Sequence, residues 1–129
     1  MRHFPFFSFC ALALLLVPLA SGREIQELRE RVRDAVQRAD KDLGTLVHRD
    51  KLNGEQRQKF DSAVKDLTAL REAVEAKESK QWEGERALLE RAADNMESLQ
   101  KNAPIEDKDR QMLGIDVYTL HVILDSWKP

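Results

Sequence analysis

The chain has 129 residues, 34% of them charged, with a formal net charge of -2 at pH 7. Both signs are interspersed along it, which leaves no basic stripe for nucleic acid and no polybasic membrane patch. Cys10 is the single cysteine, so disulfide frameworks, thiolate-ligated zinc and Cys-x-x-Cys-His haem attachment are excluded.

The N-terminus comes first in chain order. Met1-Arg2-His3 is a short basic start, and Phe4 to Val17 is uncharged and mostly apolar. Pro18 follows, then the small residues Ala20-Ser21-Gly22. This three-part pattern predicts a secretory signal peptide over residues 1–22, cleaved between Gly22 and Arg23. The apolar run is shorter than the ~20 residues a spanning helix needs. Residues 23–129 then form one domain without cysteine. Arg2 is the only lysine or arginine removed, so 20 basic residues remain against 23 acidic ones, close to -3 net.

Four helices follow. The first, about 24–50, carries Ile25, Leu28, Val32, Ala35, Val36, Ala39, Leu43, Leu46 and Val47 at steps of three and four. Glu27 with Arg31 and Asp34 with Arg38 are acid-then-base pairs on its outer face. Gly44 allows an earlier end. Asn53 opens the second helix as N-cap, with Gln56 placed to complete a capping box. That helix, about 54–77, has the stripe Phe60, Ala63, Val64, Leu67, Leu70 and Val74, with Asp61 and Lys65 paired outside. Ser79 is an N-cap for the third helix, about 80–102, which turns Trp82, Leu88, Leu89, Ala92, Met96 and Leu99 inward. Pro104 separates it from the fourth, about 105–127, with Leu113, Val117, Leu120, Leu124 and Trp127 on one face. Ile115, Val122 and Ile123 add a second apolar flank, which predicts that this helix is the most buried.

Similar lengths, short connections and one apolar face each point to an all-α, up-down-up-down four-helix bundle. Long helical hairpins that dimerise are the alternative. In the bundle, Trp82 and Trp127 share one pole, as closure of the core or as an exposed binding anchor.

Chemistry is sparse. His48 lies at the opposite pole from Trp127, and His121 sits about six residues from the lower end, ~9 Å up. The two cannot share a metal whose Zn–N distances are ~2 Å. His121 has Tyr118 three residues before it and Asp125 four after it, with no second ligand or nucleophile at helical spacing. Met96 and Met112 fall at similar heights and read as packing. No Glu-x-x-His motif, no histidine at helical spacing from a serine and no glycine-rich phosphate loop occurs. The sequence therefore implies no enzyme, no cofactor and no metal site.

Leu52-Asn53-Gly54-Glu55-Gln56 resembles the LTxxQ motif of exported all-helical envelope proteins, a family of small chaperones and stress regulators. Leu52 and Gln56 match, and Asn53 replaces the threonine. A second copy is not recognisable at Ile105, and the family's dense basic cradle is missing. The resemblance spans five residues, implies a binding protein and carries over no site residues. Together these features predict a periplasmic or secreted, non-enzymatic interaction protein: an adaptor, holdase or accessory subunit with a protein partner. The alternative is a ligand- or haem-carrying bundle using the interior near His121.

Overall fold

The structure, a computed structural model, describes residues 26–75 and 82–127, with the side chains of Trp82 and Glu83 outside that description. The signal-peptide segment 1–22, its Gly22–Arg23 cleavage site, the Ser79 cap and the Trp82 ring therefore lie outside the described residues.

The described residues form four helices, as predicted. They are α1 (26–44), α2 (Gly54–Glu75), α3 (Trp82–Asn102) and α4 (Asp107–Ser126). A 3-10 turn, Arg49–Lys51, lies between α1 and α2. No strand occurs among the described residues. None of the described helices is long and apolar enough to cross a membrane.

Helix α1 ends at Gly44 rather than near Asp50. Thr45 folds back at that point, its backbone N–H and hydroxyl both donating to the Asp42 carbonyl at 3.2 and 3.0 Å. A carbonyl claimed this way, next to a residue of low helix propensity, stops the helix. The capping box at the start of α2 is present in full. Gln56 N–H donates to Asn53 Oδ1 at 2.8 Å, and Asn53 N–H donates to Gln56 Oε1 at 3.1 Å.

Cross-helix bonds establish the topology. Lys59 donates to Ser98 (2.8 Å), Asn95 to Ser62 (3.3 Å) and Arg91 to Asp66 (2.7 Å). One partner climbs as the other descends, so α2 and α3 are antiparallel. Arg71 bonds Asp40 at 3.0 Å between α1 and α2. Arg86 reaches the Leu124 carbonyl between α3 and α4. Asp42 of α1 and Asp116 of α4 come together at one groove between these two helices. Each helix therefore touches the next and the fourth returns to the first, so the bundle closes on itself within one chain.

The predicted stripes meet in one core. Val32, Val36, Leu43, Leu67, Leu70, Leu89, Met96, Leu99, Leu113 and Leu120 are almost wholly removed from solvent. Burial of each such side chain is worth roughly 1.5–3 kcal/mol. Trp127 is buried at 5% exposure, which makes it part of the core's lower closure.

Some outward expectations fail. Val47 is exposed, because α1 has already ended. The Glu27–Arg31, Asp34–Arg38 and Asp61–Lys65 pairs do not close; Asp34 lies beside Arg33 instead, at 3.7 Å. The i,i+4 pairs that do form are Glu55–Lys59, Arg86–Glu90 and Glu97–Lys101. The second apolar flank of α4 is split. Ile123 is buried, but Ile115 and Val122 are exposed at 61% and 38%. Four helices around one core can cover only one side of α4, so an apolar surface wider than that side stays in water.

Candidate functional site

The uncovered side of α4 is the first feature with functional content. Ile115, Tyr118 and Val122 recur at three and four residues, so they share one strip of the helix. Tyr118 is 71% exposed. Beside the strip, α1 and α4 enclose an open groove of about 260 Å³ lined by Arg31, Asp34, Ala35, Arg38, Tyr118, Thr119, Val122 and Ile123. A second open groove of about 320 Å³ continues toward the upper pole, and Arg38 and Ile115 border it with Met112, Lys108 and Gln111. The face thus has an apolar strip, a shallow trough beside it and charged groups of both signs at the rim.

Asp42 and Asp116 line the upper groove. Asp116 is only 3% exposed, and its Oδ2 has no hydrogen-bond partner. Burial pushes its pKa up to about 8, reinforced by the hydrogen bond to Asp42 and its charge and opposed by Arg38. Burial and the neighbouring carboxyl group both favour the protonated form of Asp116.

Three further buried acids have identifiable work or environment. Asp66 is 2% exposed and accepts both arms of the Arg91 guanidinium at 2.7 Å, which in turn raises the pKa of Arg91. Asp109 accepts the Val47 N–H at 3.0 Å and ties the segment after α1 to the first turn of α4. Glu85 has its pKa raised by burial, against the lowering effect of Arg29.

The histidines are far from one another in role. His48 is half-buried and lies 3.3 Å from Glu106 at the upper pole. His121 is half-buried on the opposite flank of α4 from the groove, at the seam with α3. Tyr118 and Asp125, its helical neighbours, make no hydrogen bond to it. It is joined instead by Asp94 and Glu97 of α3, one ligand atom from each of the three residues lying within 4.8 Å of the others. Helical spacing could not supply these partners, because they come from a different helix. Met96 is wholly buried in the core, and Met112 is half-buried at the edge of the upper groove.

Leu52, Asn53 and Gln56, which carry the motif resemblance, form the entry to α2. Leu52 packs partly against the core, and Gln56 also donates to the Asn102 carbonyl at 3.1 Å. Comparison with protein families, curated proteins and solved structures returned no match.

Proposed function

We propose that the chain is an exported, non-enzymatic interaction protein of the cell envelope, acting as an adaptor, holdase or accessory subunit. It engages a protein partner through the outer side of α4 and the trough beside α1. The observation that carries this reading is the exposed strip Ile115–Tyr118–Val122. A helix whose second apolar side is left in water beside a groove has the form used to receive an apolar segment of another protein. Tyrosine at the centre of such a strip gives large contact area at little entropic cost. The leader-like residues 1–22 support export, and the Leu52–Gln56 resemblance leads in the same direction. A carrier built on the interior near His121 draws no support from a histidine that is half-buried among carboxylates at a helix seam.

The test compares the purified protein with an Ile115→Asp/Tyr118→Asp double variant. Light scattering of a heat-unfolded client and retrieval of envelope proteins are measured for both. The wild-type protein should perform at least one of these tasks, and the variant should lose it with its helical content unchanged. A wild-type protein that does neither, or a variant that does both equally well, contradicts the proposal.

A further inference from the structure

The seam between α3 and α4 places a histidine opposite two carboxylates. Asp94 and Glu97 are three residues apart on α3, so both occupy one face of that helix. The antiparallel course of α4 brings His121 to the same height. One ligand atom from each side chain lies within 4.8 Å of the other two. Asp94 is exposed while Glu97 and His121 are half-buried, so the cluster has a protein floor and a solvent mouth.

The three side chains are also available. Asp94 and His121 have no hydrogen-bond or ion-pair partner among the described residues. Glu97 is held only by Lys101 at 3.6 Å, a surface pair of little strength. Ligand bonds of about 2.0–2.2 Å place coordinating atoms about 3 Å apart. Arg86 and Arg110 fix the two helices across the same seam, which leaves the remaining gap to side-chain rotation.

We infer that Asp94, Glu97 and His121 form a binding site for a divalent transition-metal ion of the zinc class. The donor set decides the class. An imidazole nitrogen favours zinc, nickel, copper or iron over magnesium and calcium. Two carboxylates balance the charge of a dication. Three protein ligands leave a position open to water on the solvent side. The ion joins α3 to α4 and replaces the weak Glu97–Lys101 pair. The site lies on a different flank of α4 from the groove, so it stands or falls independently of the proposed partner face.

The experiment is calorimetric titration of the chelator-treated, purified protein with Zn²⁺, with Mg²⁺ as comparison. Co²⁺ gives a second readout through its visible d–d bands, whose position and intensity report the number and geometry of its ligands. One Zn²⁺ per chain is expected, with no comparable Mg²⁺ binding. His121→Ala should weaken zinc at least about tenfold and remove the Co²⁺ band, whereas His48→Ala should change neither. Glu97→Gln is the second variant, should His121→Ala prove unstable, and it should also weaken zinc. Absence of stoichiometric zinc binding, or binding that survives both His121→Ala and Glu97→Gln, overturns the site.

Discussion

Asp116 sits on the core stripe of α4, three residues after Leu113 and four before Leu120, and it is buried there as an acid. Its folded pKa of about 8 stands above the ordinary 3.8, so the folded state holds its proton where the unfolded chain has released it. The stabilising contribution of that proton is full below pH 3.8 and is lost as the pH rises through about 8. Wild-type protein should therefore lose stability steadily across that window. Asp116→Asn should flatten this slope and be the more stable protein at pH 8. Thermal unfolding of both from pH 4 to 9 checks it; parallel curves would show that Asp116 does not titrate as described. Glu85 contributes in the same sense, but equally to both proteins. The residue scale is also where the sequence was least legible. Asp66, Asp109 and Asp116 all occupy positions that helical spacing assigns to the stripe, and a search for apolar periodicity passes over them. The signal was there, as a charge at three and four residues from buried leucines. Their partners were not, because Arg91, the Val47 N–H and Asp42 come from other elements, and only the packed register brings them near.

Helix ends show the same division between local and distant causes. The start of α2 was readable because Asn53 and Gln56 serve each other within four residues. α3 and α4 stop within one residue of where spacing put their ends, at Asn102 and Ser126, but what meets the last carbonyls of the helices was not legible. No described residue adopts a positive φ, so neither α3 nor α4 stops with a left-handed cap. The last carbonyls of the helices are met by side chains from elsewhere instead. Arg29 donates to the Val74 carbonyl at 3.0 Å. Arg110 donates to the carbonyls of Gln100 and Ala103, and Gln56 to that of Asn102. Arg86 donates to the Leu124 and Trp127 carbonyls at 3.3 and 2.8 Å. These bonds complete the helix ends and lock neighbouring helices together at once. Arg86→Met should cost about 2 kcal/mol in urea unfolding, since two charge-assisted bonds to carbonyls at the end of α4 are lost. Arg33→Met, which removes only an exposed pair with Asp34, should stay within about 0.5 kcal/mol of wild type. Equal effects would mean that Arg86 is merely another surface charge.

At the scale of the whole molecule, four amphipathic stripes specify the closed bundle, and that much was legible from spacing alone. Every residue of the Leu113–Trp127 stripe is buried as read. What spacing could not say is which apolar flank of α4 the bundle would cover. A helix in a four-membered ring has two neighbours and one core side, so Ile115, Tyr118 and Val122 were left facing water. We propose this strip as the place where the protein meets its partner. Its most direct test is photo-crosslinking in the producing cell, with a photoreactive residue placed at Tyr118 and, for comparison, at the exposed Lys65 of α2. A discrete crosslinked protein is expected at position 118 and none at 65. No crosslink at 118, or the same products from both positions, would contradict it.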